Sequence, residues 1–288
     1  MVPFNPPEAA LVAQDVLRSL QEDIQTGDVT ALLLEDGIEQ GYIVIKEPAV
    51  ICGRPWFDAC FRHLDPDIEI SWRVQEGQSV AAGTVIVDFR GRARAMLSAE
   101  RSALNFLQTL SATATQTAAF AAALSGSNTR VLDTRKTLPG LRQAQKYAVR
   151  AGGGMNHRMG LFDAVMLKEN HIHAEGSIAK AVAKARSAYP DIPVIVEVES
   201  LDELRQALDT GCSRILIDDF SDADMREAVR TAGGRKPLEV SGSVTLERLA
   251  TIAAAGVDFV SVGSITKNIR AIDFSMRLGR PPEAEASA

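Results

Sequence analysis

The second half of this 288-residue chain keeps a regular rhythm, which narrows its possible folds more than any single residue does. Short apolar runs (NTRVLDTRK, DAVMLKEN, PVIVEVES, SRILIDDF, PLEVSGS and DFVSVGS) alternate with amphipathic stretches such as LDELRQALDTG and LERLATIAAAG. The runs fit strands covered on both faces; the amphipathic stretches fit helices with one apolar stripe, each closed by glycine. The polar residues ending successive runs, Glu197, Asp218, Ser241 and Gly263, fall 21, 23 and 22 positions apart. One strand, one helix and their turns need about that length. The alternation predicts parallel strands with helical crossovers, curved into an α/β barrel.

The first half mixes its elements. Residues 8–20 place Ala9, Leu11, Val12, Val16, Leu17 and Leu20 at helical spacing, and YIVIKEPAVICG, IEISWRV and TVIVDFRG read as strands. VQEGQSVAAGTVIVDFRG has the glycine and valine spacing of a small β-sandwich of the biotinyl or lipoyl kind. A swinging-arm carrier needs a lysine at a hairpin tip, and no lysine occurs from residue 47 to residue 135. The spacing is therefore architectural.

Composition excludes several classes. Three cysteines (Cys52, Cys60, Cys212) are too few and too scattered for a disulfide framework or a zinc site. The start, MVPFNPPEAALVAQDVL, has neither a basic region nor an apolar core of a leader. The stretch LSATATQTAAFAAAL is broken by Ser, Thr and Gln and reads as a closely packed small-residue helix. A cytoplasmic protein with no membrane segment is expected. The net charge of −6 argues against a nucleic-acid partner. Residues 130–168 nevertheless hold eight Lys or Arg against two Asp, so this segment carries +6 and the rest −12. A cationic pocket in an acidic body suits a small, highly charged anion. Arg142, Lys146 and Arg150 read as a solvated helix face, which leaves the cations at strand ends to be explained.

Barrels of this kind gather function at the C-terminal ends of their strands. Here those ends carry Asp133-Thr134-Arg135-Lys136, Lys168-Glu169-Asn170, Glu197 and Glu199, Asp218-Asp219, Ser241-Gly242-Ser243 and Gly263-Ser264. One polar residue at a strand end is a cap, but six successive ends point to a site. Arg135, Lys136, Arg158 and Lys168, with His157 beside Arg158, offer guanidinium forks and point charges to carboxylate or phosphate. Glu197 and Asp218 could hold Mg²⁺, accept from sugar hydroxyls or stabilise developing positive charge. SGS at 241–243 and GSITKN at 263–268 fall where barrels bind phosphate, in the last two βα loops. GGGMNHRMG (152–160) reads as a loop that flexes or approaches a ligand closely. His171 and His173 form an H-x-H without further ligands, and His63 reads as a surface residue.

The long stretch DTRKTLPGLRQAQKYAVRAGGGMNHRMGLFDAVMLKENHI, with ERSALNFLQ at 100–108, EVSGSV and FVSVGSITKN, resembles quinolinate phosphoribosyltransferase. The resemblance runs from GDVT at 27–30 to DFSMR at 273–277. It implies a type II phosphoribosyltransferase: a mixed α/β-sandwich N-terminal domain (1–111, joined by a C-terminal return, 270–288) and an open α/β barrel (112–269). It also implies a homodimer, a requirement for Mg²⁺, and a reaction of quinolinate with phosphoribosyl pyrophosphate. The products would be nicotinate mononucleotide, pyrophosphate and CO₂, in de novo NAD biosynthesis. By motif, the dicarboxylate would meet Arg135, His157, Arg158 and Lys168, with Arg101 entering from the partner subunit. Lys136, Lys168, Glu197 and Asp218 would be catalytic, the last two also holding Mg²⁺ directly or through water or substrate. Thr134, Ser241, Gly242, Ser243, Val262, Gly263 and Ser264 would complete the substrate contacts. Many relatives have a second glycine where this chain has Ser243, and many have alanine at Ser264. Two other readings stand beside this one: a paralogue that transfers phosphoribose to another base, and a non-catalytic anion-binding protein.

Overall fold

The computed structural model describes residue 5 and residues 7–281. Residues 1–4 and 6, at the start read above for a leader, and residues 282–288 of the expected C-terminal return lie outside the described residues. The chain falls into two compact units. One takes the described residues up to Gln116, Arg150–Gly152 and the described residues from Asn268; the other takes Thr117–Val149 and Gly153–Lys267.

The first unit contains α1 (Ala9–Ile24), β1 (Ile38–Ile45), β2 (Ala49–Val50), α2 (Arg54–Leu64), β3 (Glu69–Trp72), β4 (Ser79–Val80) and β5 (Val85–Arg92). A four-stranded antiparallel sheet runs β3, β5, β1 and then the last described strand, Phe274–Leu278. α1 buries Val12, Asp15, Val16 and Leu20, spaced at one helical face, and the Trp56 indole of α2 donates to Asp15 Oδ2 at 3.0 Å. α3 (Ala93–Ala123) is the long small-residue helix. Its hydroxyls satisfy neighbouring backbone: Cys52 N–H donates to Ser111 Oγ at 3.0 Å, and Val50 N–H to Thr115 Oγ1 at 2.8 Å. Among the described residues no helix is long and apolar enough to cross a membrane.

The second unit follows the repeat: β6 (Arg130–Leu132), α4 (Arg142–Ala151), β7 (Val165–Leu167), α5 (Glu169–Glu175), α6 (Ile178–Ala188), β8 (Val194–Val198), α7 (Leu201–Leu208), β9 (Arg214–Asp218), α8 (Asp222–Ala232), β10 (Leu238–Ser241), α9 (Leu249–Ala255), β11 (Phe259–Ser261) and α10 (Ser264–Lys267). The six strands are parallel in the order β6-β11-β10-β9-β8-β7, so neighbours in the chain, β6 and β7, stand at opposite edges. This is an open barrel. Residues after α4 cover the β6 edge: Met155 N–H donates to Val131 O at 2.9 Å, and Met155 bridges Leu132 in parallel. α6, α7 and α8 start at Ser177, Ser200 and Ser221, each side chain accepting from the backbone N–H three residues on.

Alternation along each strand sorts the residues into two layers. Val194, Val196, Ile215, Ile217, Val240 and Val260 face the helices and form the main apolar core. The other face holds only a small apolar cluster of Ala164, Ile195 and Leu216, with Met166 packed on it. Register fixes its polar members. Glu197 and Glu239 both lie opposite Leu216, and Asp218, two residues further along, lies opposite Ser241.

Two local expectations change. α9 closes at Gly256 in the left-handed region, as read, but α7 ends at Asp209, before Gly211. A Cβ on Gly211 would stand 1.9 Å from Nη1 of the exposed Arg186, so a side chain there would displace that guanidinium. In the 152–160 loop the close approach is also to protein: a Cβ on Gly154 would stand 2.7 Å from Thr117 Cγ2 and 2.8 Å from Val149 Cγ1.

Candidate active site

At the C-terminal ends of the barrel strands lies a cavity of about 230 Å³. Thr134, Arg135, Lys136, His157, Arg158, Lys168, Glu197 and Ser241 line it, joined by Met166, Leu216, Glu239 and Ser261. The four cations read from strand ends and the adjacent loop thus share one hollow. Asp218 lies on the same sheet face, half-buried at the end of β9. Gly242, Ser243, Val262, Gly263 and Ser264 sit at or just beyond the ends of β10 and β11 without lining the cavity. Arg101 is exposed on α3 of the first unit and is not one of the lining residues.

Side chains behind the cavity hold its loops. Thr134 Oγ1 accepts from Lys136 N–H at 3.0 Å, turning the chain after β6. Lys136 O accepts from Thr266 Oγ1 at 2.7 Å, and Gln145 joins Leu138 N–H (2.8 Å) to Thr266 O (2.7 Å). Gly263 leaves room for this approach: a Cβ there would meet Lys136 Cδ at 3.1 Å. Arg142 donates to Arg135 O at 3.3 Å and Met159 O at 3.2 Å, clamping two cavity loops together.

Lys146 corrects the reading of α4 as a solvated face. Its side chain and that of Asp133 are both 0% exposed and form an ion pair. Asp133 also accepts from Asn156 Nδ2 at 2.5 Å and His157 N–H at 2.9 Å, while Lys146 donates to His157 O at 2.9 Å. Burial pushes the Asp133 carboxyl up and the Lys146 ammonium down, each opposed by the other's charge. The small neighbours Ala144 and Ala148, also buried, leave space for the lysine stem. Arg142 is likewise part-buried by its loop contacts.

The cavity electrostatics are one-sided. Burial lowers the Arg158 guanidinium, and the neighbouring Arg135 charge lowers it further. Arg158 spends Nη1 on Ala164 O at 3.2 Å. Two buried donors here make no well-aligned hydrogen bond within the protein: Arg135 Nε, and His157 Nε2, which has only the Glu239 carboxylate nearby at 3.2 Å. Folded chains pair nearly all such atoms, so open donors beside mutually repelling cations fit a site built for an anion. Across the cavity, Lys168 Nζ lies 2.9 and 2.7 Å from the two oxygens of Glu197.

Among the described residues no three His, Cys, Asp or Glu side chains come together as a metal cage. Magnesium commonly takes only one or two carboxylates, with water and substrate phosphate completing its shell. Glu197 and Asp218, on one face of adjacent strands, fit that mode. The loop after β10 meets the loop after β9 tightly: a Cβ on Gly242 (φ +90) would stand 2.0 Å from Asp219 Oδ1. Asp219 (φ 51) and Ser243 (φ 38) are also left-handed, so Ser243 occupies a conformation that favours glycine.

The sequence reading missed Glu239, Arg214 and Ser261. Glu239 is 0% exposed and lies 3.2 Å from both His157 Nε2 and Arg214 Nη1, while Ser261 Oγ donates to it. The available signal was a charge inside the run LEVS and another opening RILID, both in phase with the polar strand-end residues.

Residues 113–277 match the quinolinate phosphoribosyl transferase C-terminal domain and residues 28–111 the N-terminal domain. The chain is similar to the nicotinate-nucleotide pyrophosphorylase (carboxylating) of Mycobacterium leprae, at 38% identity over 92% of this chain and 97% of that one. It is also similar to the chloroplastic nicotinate-nucleotide pyrophosphorylase (carboxylating) of Arabidopsis thaliana, at 38% identity over 90% of this chain and 80% of that one. The structure of the nicotinate-nucleotide pyrophosphorylase from Francisella tularensis superposes with a TM-score of 0.93 at 46% identity, covering 96% of this chain and 98% of that chain. With a cationic cavity at the mouth of an open barrel, and both halves of the sequence matched, the chain belongs to the quinolinate phosphoribosyltransferase family.

Proposed function

We propose that this chain transfers phosphoribose from phosphoribosyl pyrophosphate to quinolinate, releasing pyrophosphate and CO₂ and giving nicotinate mononucleotide for NAD biosynthesis. One observation carries the assignment of the acid to this cavity: burial and the Arg135 charge both lower the Arg158 guanidinium, while Arg135 Nε has no hydrogen-bond partner within the protein. A second carboxylate on the substrate is what makes such a pair of guanidiniums favourable. The cavity volume, about 230 Å³, suits a small aromatic acid.

The chemistry follows from placement. Quinolinate and phosphoribosyl pyrophosphate are both anions and repel in water. Arg135, Arg158 and Lys168 would take the carboxylates, and Lys136 the phosphorylated sugar. Orientation of this kind is worth up to about 7–11 kcal/mol in favourable systems. As pyrophosphate departs, C1 of the ribose gains positive charge, which the carboxylates of Glu197 and Asp218 stabilise. The ring nitrogen supplies the electron pair of the new C1–N bond and becomes cationic. The adjacent carboxylate then leaves as CO₂, its bonding pair staying on a ring carbon beside N⁺ until a proton arrives. No side chain need act as a nucleophile. Mg²⁺, when bound, would neutralise pyrophosphate charge, with Glu197 and Asp218 its protein partners. The last two βα loops, with Ser241, Gly242, Ser243, Val262, Gly263 and Ser264, would hold the remaining phosphate.

A homodimer with Arg101 given to the partner's cavity fits two facts about the first unit. Arg101 is exposed, and Val29, Leu32, Leu33, Leu34 and Ile38 leave five large apolar side chains exposed within ten residues. A cytoplasmic location agrees with three free, buried cysteines. The test is to incubate the protein with Mg²⁺, phosphoribosyl pyrophosphate and either quinolinate or nicotinate, measuring CO₂ and mononucleotide. Product from quinolinate supports the assignment. Product from nicotinate alone points to the paralogue, and none from any base to an anion-binding protein.

A further inference from the structure

The two carboxylates that are 0% exposed among the described residues, Asp133 and Glu239, both end on His157. Asp133 holds its main chain, accepting from His157 N–H at 2.9 Å, while its partner Lys146 donates to His157 O at 2.9 Å. Glu239 faces the ring: its Oε1 is 3.2 Å from Nε2. The other ring nitrogen, Nδ1, accepts from Arg158 N–H at 2.6 Å, so the ring proton sits on Nε2, on the Glu239 side.

A buried carboxylate under a cavity that takes anions is costly twice over. It is desolvated, and it repels the ligand. An apolar residue would fill the same place in β10 between Leu216 and Phe259, its register partners. The protein instead supplies Arg214, 3.2 Å from Oε2 and itself over the Phe259 ring, and the Ser261 hydroxyl to keep the charge in place. Burial pushes the Glu239 carboxyl up, but His157, Arg214 and Ser261 together hold it below the usual carboxylate range.

We infer that Glu239 is a positioning residue for the acid substrate: through Nε2 it fixes the His157 ring at the cavity wall and, by the Nδ1 contact, the backbone from which Arg158 projects. Arg214 and Ser261 hold Glu239. The inference rests on the proposed quinolinate site and names a residue outside the set assigned to it.

Steady-state kinetics of Glu239→Gln, with each substrate varied in turn, test it. Loss of the charge should raise KM for quinolinate about tenfold while KM for phosphoribosyl pyrophosphate stays within about twofold, the cost of one charge-assisted contact. In a His157→Ala background the same change should add less than a further twofold. Equal rises in both KM values, or full additivity with His157→Ala, would overturn the positioning role and leave a structural one. Should Glu239→Gln not fold because Arg214 is left unpaired, the double variant Arg214→Met/Glu239→Gln removes the buried pair and must show the same selective rise. An unchanged quinolinate KM in either folded variant also overturns it. Wild-type protein that makes no product from quinolinate would fail the functional proposal itself, a separate result.

Discussion

Replacing Lys146 by methionine should be among the most damaging single changes in the second unit, although sequence reading places that lysine on a solvated helix face. The variant keeps the stem volume and removes the ammonium that meets Asp133 Oδ1 and His157 O. Breaking one partner of a buried ion pair costs about 3–5 kcal/mol, because the other charge stays behind. Here Asp133 keeps two donors, Asn156 Nδ2 at 2.5 Å and His157 N–H at 2.9 Å, which moderates the loss. It can also take up a proton, since burial already pushes its carboxyl up. Holding a carboxyl neutral at pH 7 costs about 1.4 kcal/mol per unit from its ordinary value near 4, hence about 4 kcal/mol at most. The expected loss is about 3–4 kcal/mol. The sign of its pH dependence is fixed: a folded-state carboxyl raised above its unfolded value binds more protons when folded, so the penalty shrinks as pH falls from 7 toward 5. Adding Asp133→Asn should restore about 2 kcal/mol, because the stranded charge is gone. Urea unfolding followed by far-UV circular dichroism, with hydrogen exchange at the amides of Tyr147 and Ala148, reads the correct unit. Tryptophan fluorescence does not, since Trp56 and Trp72 are the two tryptophans of the chain and both lie in the first unit. A loss below about 1 kcal/mol, or a double variant less stable than the single one, would refute the buried-pair reasoning.

Arg135→Met should cut kcat/KM for quinolinate at least a hundredfold, about 3 kcal/mol, and abolish the rise in Tm on adding quinolinate. Without ligand the same variant should be no less stable than wild type, because Arg135 and Arg158 repel; a destabilised apo-protein would contradict this. Ser243→Gly should gain about 1 kcal/mol by relieving a left-handed serine, whereas Gly242→Ala should weaken phosphoribosyl pyrophosphate binding, since its Cβ would stand 2.0 Å from Asp219 Oδ1. Asp163 accepts from Met159 and Gly160 N–H, which hold its carboxyl low against burial. A depressed carboxyl stabilises fully above its unfolded value near pH 4 and loses that stabilisation as pH falls through the folded value, so Asp163→Asn should flatten the acid limb of the stability curve below about pH 4. Mixing inactive Arg101→Ala and Arg135→Ala proteins should restore roughly a quarter of the sites if dimers share Arg101, and no recovery after subunit exchange would rule that arrangement out.

Much of the barrel can be read before any coordinates, because a strand covered on both faces must be apolar at every position, as VIV in β8 and IL in β9 are. The cations at strand ends are legible for the same reason: Arg135 and Lys168 end apolar runs that give no local reason for a charge. Lys146 is not legible. RQAQKYAVRA is polar enough to pass for an exposed helix, and the acid that justifies burying its lysine lies thirteen residues earlier, across a Pro-Gly turn. Glu239 and Arg214 are intermediate cases. Each puts a charge inside or at the start of an apolar run, in phase with a polar strand end, yet only the register between β9, β10 and β11 reveals what they face. Gly154 in the 152–160 loop packs tightly against Thr117 and Val149, a role that only its neighbours reveal.

Isothermal titration of the protein with pyridine acids tests most directly whether the cavity cations serve two carboxylates. Quinolinate should bind at least thirtyfold more tightly than nicotinate, about 2 kcal/mol for the second carboxylate, and Arg135→Met should erase most of that difference. Equal affinity for the two acids in the wild-type protein would contradict the dicarboxylate site.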